Sequence, residues 1–188
     1  MPPEEPKATT AHRLPGDPSA FETVRRMIRV DHAGEFGAAR IYDGQLAVLR
    51  PGSARDAVSK MAEQERAHLT RFDDLVNERR VRPTLLSPVW GAAGFALGAA
   101  TAMMGERAAM ACTVAVEDVI AEHYARQSEA LGEDEADLRA TVDEFRADEI
   151  EHHDTGLAHG AEDAPAYELM SGAIRAGTKL AIWLSTRI

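Results

Sequence analysis

A single cysteine, Cys112, stands in 188 residues. That scarcity excludes an intrachain disulfide and a cysteine-rich zinc site, and within the apolar run from Ala111 to Val116 the residue is expected as a small buried hydrophobe. Aromatic residues make up only 5% of the chain, and no segment alternates apolar and polar positions with the period of two that a strand requires. What remains is rich in Ala, Leu, Val and charged residues, a composition that predicts an all-α bundle. A basic surplus is also missing. With a net charge of -10 there is no cationic surface to neutralise phosphates, which excludes nucleic acid as the partner. No glycine-rich dinucleotide or phosphate fingerprint lies between a strand and a helix, so any nicotinamide cofactor would bind without one. Met1 to Ala20 has neither an apolar signal core nor the Arg-rich, acid-poor character of a transit leader. It is proline-rich and contains Glu4, Glu5 and Asp17, and is expected as a mobile tail (1–20) ahead of one domain (21–188), in a protein kept in the cytoplasm.

Helical spacing covers most of the rest. Val24, Ile28, Asp31, Glu35, Ala38, Tyr42, Gln45 and Leu49 form one stripe that ends at Pro51-Gly52. Ser53 is a candidate cap for a second helix that runs to about Arg80 and is stopped by Arg82-Pro83. Residues 83–105 carry no charge. A helix from about Glu106 to Leu131 follows, then one containing Glu149 and His152, and a last one opened by Asp163 and Pro165. The uncharged run is long enough as a helix to cross a membrane, roughly 35 Å against a hydrocarbon core of about 30 Å. It is nevertheless broken by Pro88 and by Gly91, Gly94, Gly98 and Gly105.

The second helix sets Val58, Met61, Ala62, Leu69, Phe72, Leu75 and Val76 on one stripe with Glu65 and His68 in its middle. Burying a carboxylate and an imidazole among aliphatics costs several kcal/mol unless they are paired or bind a metal. The device recurs downstream, where Glu149 and His152 lie on the stripe of Leu138, Val142 and Phe145. With 18 Glu and 7 His, chance alone supplies about 0.7 such pairs, so one pair proves little. Their matching positions carry more weight. Glu35 and Tyr42 are repeated 82 residues on as Glu117 and Tyr124, and the Glu-His pair is repeated 84 residues on. A duplicated helix hairpin folded on itself would bring together one Glu from each of two helices and a Glu-x-x-His from each of the other two. That is the ligand set of ferritin-like dinuclear bundles, which favours iron or manganese. Asp31, one turn before Glu35, is a candidate acceptor for a ligand imidazole, and His32, His123, Tyr42 and Tyr124 are expected as structural residues more often than as participants. Glu151 and His153 point off the stripe. Gly94-x-x-x-Gly98 is a helix close-packing spacing.

Longer phrases resemble one family. Arg29-Val-Asp-His-Ala-Gly-Glu-Phe-Gly37, Ile41-Tyr-Asp-Gly-Gln45, Arg82-Pro-Thr84, Gly94-Phe-Ala-Leu-Gly98, Ala111-Cys-Thr-Val-Ala-Val-Glu117 and Glu151-His-His-Asp154 are similar to the demethoxyubiquinone hydroxylases, over about Phe21 to Ile188. The resemblance implies a ferritin-like four-helix bundle with extra membrane-associated helices. It also implies a di-iron monooxygenase that uses O2 to hydroxylate the ring of an isoprenoid demethoxyubiquinone or quinol in ubiquinone biosynthesis. Glu35, Glu65 and His68 would hold one of two iron ions and Glu117, Glu149 and His152 the other, with Glu65 and Glu149 bridging. An electron donor such as NADH and other ubiquinone-biosynthesis proteins are its expected partners.

Two half-sites flanking 83–105 could not meet if that run crossed a membrane once. The expectation is therefore a monotopic protein on the cytoplasmic side of the cell inner membrane, with interface segments near 83–105 and 166–188. In the second, Arg175, Lys179 and Arg187 beside Leu169, Leu180 and Trp183 have the composition of an anchor, although bundle packing explains it almost as well. The alternatives are a soluble ferritin-like iron oxidase or manganese catalase with the same ligands, and a metal-free helical membrane module.

Overall fold

The computed structural model describes residues 18–188, so the proposed tail lies almost wholly outside the described residues. Six α-helices form an all-α ferritin-like bundle: α1 (Ala20–Val48), α2 (Ser53–Glu78), α3 (Ser87–Met103), α4 (Glu106–Ala130), α5 (Ala136–Ala158) and α6 (Tyr167–Ser185). No strand is present among the described residues. Short connections make hairpins of α1–α2 and α4–α5, the two halves expected from the repeat.

Helix ends follow local chemistry. At the start of α1 the Ser19 hydroxyl accepts from the Glu22 amide at 3.0 Å and the Glu22 carboxylate accepts from the Ser19 amide at 2.7 Å, a capping box that satisfies two otherwise orphaned donors. The start of α2 departs from expectation. Gly52 occupies the cap, with no side-chain cap bond, and Ser53 is already helical. Likewise α6 begins at Tyr167 after Ala166 in the left-handed region (φ 54°), not at Pro165.

Two apolar clusters fill the bundle. One gathers Ile28, Phe72, Leu75, Tyr124, Leu138 and Val142; the other gathers Tyr42, Val58, Met61, Met110 and Val114. They separate along α2, where the first takes Phe72 and Leu75 and the second Val58 and Met61, and interleave on α1 and α4, where the first also takes Ile41 and Cys112. Glu65 and His68 on α2 lie in sequence between the two sets, and Glu149 and His152 on α5 lie between Phe145 of the first and Leu157 packed on the second, so apolar packing flanks the polar layer. Cys112 is fully buried, as expected, and burial pushes its thiol up to about 12.

The uncharged run forms α3, which lies along α1 in the same direction. Gly91 meets Phe36, Gly94 meets Gly37 and Arg40, and Gly98 meets Ile41 and Gln45. No helix among the described residues is long and apolar enough to cross a membrane. On the other flank α6 packs along α4, where Arg175 pairs with Asp118 at 2.8 Å and Lys179 with Glu122 at 3.6 Å. Those two cations are thus matched by acids within the fold, which favours the packing account of their presence over the anchor account. Leu169, Leu180 and Trp183 on α6, and Val89 and Met103 on α3, remain exposed.

Candidate metal centre

All six residues singled out by the stripes are buried, at 3% exposure or less. The layer contains two overlapping groups. Glu35, Glu65, His68 and Glu149 each offer a ligand atom within 4.8 Å of one another, and so do Glu65, Glu117, Glu149 and His152. Glu65 and Glu149 belong to both, so the helices place one shared carboxylate from each half on the axis between two potential ion positions.

The unsatisfied atoms define what is missing chemically. Glu35 Oε2, both oxygens of Glu65 and of Glu149, Glu117 Oε2 and the Nδ1 atoms of His68 and His152 have no hydrogen-bond partner among the described residues. Buried carboxylate oxygens are almost never left so, since each forfeits its hydration without replacement. His68 Nδ1 lies 3.4 Å from both Glu35 Oε2 and Glu149 Oε1, and His152 Nδ1 lies 3.2 Å from both Glu65 Oε1 and Glu149 Oε2. A hard oxygen set completed by two imidazoles fits a pair of iron or manganese ions, with the four carboxylates balancing four positive charges.

The outer edges of the same side chains are engaged. His68 Nε2 is 3.0 Å from Asp148 Oδ2 and His152 Nε2 is 3.3 Å from Gln64 Oε1. Each partner directly precedes the Glu of the opposite pair, so the two halves support each other crosswise. An imidazole that donates from Nε2 presents its Nδ1 lone pair inward, the form a metal needs. Asp31 does not play this part; it accepts from Gln127 at 2.7 Å and contacts His123 at 3.3 Å. His32 pairs with Asp73, Glu151 with Lys60, and His153 with the neighbouring Asp154. His153→Ala is therefore expected to leave metal content unchanged and His152→Ala to remove about one ion per chain, measured by elemental analysis, because consecutive helical residues point about 100° apart.

The two tyrosines prove closer to the centre than their spacing alone suggested. The Tyr42 hydroxyl donates to Glu117 Oε1 at 2.6 Å, and the Tyr124 hydroxyl donates to Glu35 Oε1. Antiparallel α1 and α4 produce this exchange, each Glu meeting the Tyr seven residues beyond its counterpart. Burial, reinforced by the carboxylates nearby, raises both phenols well above their usual value, so they remain donors.

Electrostatics without metal are unfavourable. Burial first, then the charge of Glu149, raises Glu65 and Glu117 well above the ordinary 4.5; burial likewise raises Glu149. Burial opposes charge on His68, yet the close approach of Glu149 and Glu35 prevails and lifts it to about 11. His152 is lowered, mainly by burial. Carboxyls raised in the folded state keep their protons to higher pH there than in the unfolded chain. Their contribution to stability is full below the unfolded value and is lost as pH climbs through the folded one. Metal-free protein should therefore lose stability from about pH 4.5 upward, and metal uptake near neutrality should release protons. Calorimetric titration in two buffers of different ionisation enthalpy measures that release; identical heats in both would contradict it.

Beside this layer lies an apolar cavity of about 540 Å³ between α1, α3, α4 and α6. Leu97, Ile41, Ile174 and Ala181 are among its walls, and Asp31, His123 and Tyr124 bring its polar edge to Glu35.

Fold and site together define a ferritin-like helical protein with a candidate dinuclear metal centre. The family model for ubiquinone biosynthesis protein COQ7 matches residues 22–185, and the chain belongs to that family. It is 57% identical over 183 residues to the 3-demethoxyubiquinol 3-hydroxylase of Rhodospirillum rubrum, covering 97% of this chain and 86% of that protein. It is 52% identical to the NADPH-dependent mitochondrial 3-demethoxyubiquinone 3-hydroxylase of Homo sapiens over 88% of this chain and 78% of that one. Against the mitochondrial 5-demethoxyubiquinone hydroxylase of Saccharomyces cerevisiae it is 41% identical, over 87% and 77%.

Proposed function

We propose that this protein is a di-iron monooxygenase that hydroxylates the ring of a demethoxyubiquinol in ubiquinone biosynthesis. One observation carries the proposal: a large apolar cavity shares Tyr124 with a buried layer of unpartnered carboxylates. At about 540 Å³ the cavity falls within the range of small-molecule sites, about 300–1,000 Å³, and is far larger than hydrogen peroxide or a metal ion needs. That disfavours the catalase and iron-oxidase alternatives. The eight orphaned atoms disfavour the metal-free one.

Two iron ions, held by Glu35, Glu65 and His68 and by Glu117, Glu149 and His152, would supply the electrons that activate dioxygen. The protein's own residues do the rest. Glu65 and Glu149, which belong to both ligand groups, would serve both ions, and Asp148 and Gln64 fix the imidazole edges. Tyr42 and Tyr124 keep their protons and restrain the terminal carboxylates. Apolar walls exclude water and hold the ring next to Tyr124 while the isoprenoid tail leaves between α3 and α6. In the overall reaction one oxygen atom enters a ring C–H bond and the other leaves as water, consuming two protons and two electrons, the electrons from an external donor such as NADH or NADPH.

The tail also bears on location. Val89, Met103, Leu169, Leu180 and Trp183, exposed on the two helices that flank the cavity, support a monotopic seat on the cytoplasmic face of the inner membrane, the tail remaining in lipid.

The test is turnover of a short-tailed demethoxyubiquinol by detergent-solubilised protein under 18O2. The expected product contains one labelled oxygen, and the protein holds two iron ions per chain. Iron-loaded protein that binds this quinol and leaves it unchanged would refute the activity.

A further inference from the structure

A second space reaches the same layer from the opposite side. Between α2 and α5 lies a cleft of about 310 Å³, whose lining includes Gln64, Ala67, Arg71, Glu144, Phe145 and Asp148. These positions recur at three and four residues on each helix, so polar and charged side chains stand beside Ala67 and Phe145 along the two facing stripes. The floor of the cleft is the His68 ring. Its Nε2 faces Asp148 Oδ2 at 3.0 Å on the cleft side, while its unpartnered Nδ1 stands 3.4 Å from Glu35 and Glu149 in the buried layer. Gln64, also in the lining, reaches the outer nitrogen of His152. The His68 imidazole, stacked on Phe145 with ring centroids 3.9 Å apart, thus lies between the cleft and the centre.

We propose that this α2–α5 cleft is the port through which metal ions enter, which rests on the metal-centre reading above. A hydrated divalent cation cannot use the apolar cavity, because it would give up its water with nothing to replace it. In the cleft, Glu144 is exposed and the Asp148 side chain retains 33% exposure, so two carboxylates stand at the mouth beside the half-buried Arg71. An ion drawn there by Glu144 meets Asp148 next, and a swing of the His68 side chain joins the two spaces and delivers the ion to Nδ1. The lipid substrate and the metal would then use opposite doors, and loading would not require the quinone cavity to be empty.

Stopped-flow mixing of metal-free protein with Co2+, whose d–d absorption reports ligation without oxygen chemistry, tests the port. Ala67→Phe fills the cleft from an exposed position, and Glu144→Gln removes charge from an exposed residue outside the six candidate ligands. Ala67→Phe is expected to slow cobalt uptake at least tenfold and Glu144→Gln severalfold, each still reaching two ions per chain. Gly177→Leu, which intrudes on the apolar cavity where an added Cβ meets nothing within 4 Å, should load at the unmodified rate. Unmodified rates in both cleft variants, or equal slowing by Gly177→Leu, would overturn the port and leave the centre standing. If Ala67→Phe fails to fold, Glu144→Gln decides alone. An unmodified chain that ligates no cobalt would overturn the centre and the port together.

Discussion

Replacing either Glu65 or Glu149 by Ala is expected to take the metal content from two ions per chain to essentially none, whereas Glu35→Ala and Glu117→Ala should each retain one. The asymmetry follows from membership: Glu65 and Glu149 are in both four-ligand groups, Glu35 and Glu117 in one each. Losing a shared carboxylate removes a ligand from both ions and leaves their mutual repulsion unscreened. Stability should move the other way. In metal-free protein Glu65 is fully buried, unpartnered and raised by burial and by Glu149, so its removal relieves a standing cost even though it opens a small cavity. The metal-free Glu65→Ala chain is accordingly expected to melt at or above the temperature of the metal-free parent. Added metal, which stabilises the parent by about 2.7 kcal/mol per site at a hundredfold excess over Kd, should no longer raise it. Elemental analysis with calorimetric melting reads both effects. Two ions retained in Glu149→Ala would show that it does not bridge, and a metal-free melt far below the parent's would show that Glu65 is held by partners instead of being strained.

How much of this was legible beforehand depends on the range of the interaction. Helix stripes are local, and the pairs Glu65-His68 and Glu149-His152 could be found because three residues along a helix place two side chains on one face. The repeat added the long-range pairing, since two similar hairpins have few ways to bury two similar polar stripes. Contacts between non-equivalent positions were not legible. Nothing local tells that Asp148 and Gln64, each one residue before a Glu, support the imidazole of the other half, or that Tyr124 seals Glu35; those facts exist only once α1 meets α4 and α2 meets α5. Asp31 looked suitable by spacing, yet the register of α4 presents Gln127 and His123 to it. Arg175 and Lys179 had the composition of an anchor, but Asp118 and Glu122 lie 57 residues away in the chain and next to them in space. The uncharged run was ambiguous for a related reason. An apolar, glycine-broken helix satisfies lipid and a neighbouring backbone equally well, and only packing chooses between them.

That choice can be measured at Gly98. A Cβ there would overlap the carbonyl oxygen of Ile41 and stand 2.8 Å from its carbonyl carbon and 3.0 Å from the Gln45 amide nitrogen. Gly44, on α1, has the reciprocal problem with the backbone of Phe95 and Ala99. All of these obstacles are main-chain atoms within helices, which cannot rotate aside as a side-chain tip would, so relief requires the α1 and α3 axes to move apart. Overpacking of this kind costs typically 1–3 kcal/mol. With backbone on both sides, Gly98→Ala is expected near the upper end, about 3 kcal/mol, or roughly 6–12 °C in Tm for a chain of this size. Gly172→Ala on α6, where an added Cβ meets nothing within 4 Å, should instead gain about 0.5–1 kcal/mol from helix propensity. Loss at Gly98 has a second consequence, because Gly94 and Leu97 on the same helix wall the apolar cavity. Displacing α3 should weaken quinol binding while leaving cobalt uptake and its two-ion end point intact, since none of the six candidate ligands is on α3. If α3 were instead held mainly by lipid, Gly98→Ala would melt with the parent in detergent and bind quinol equally well.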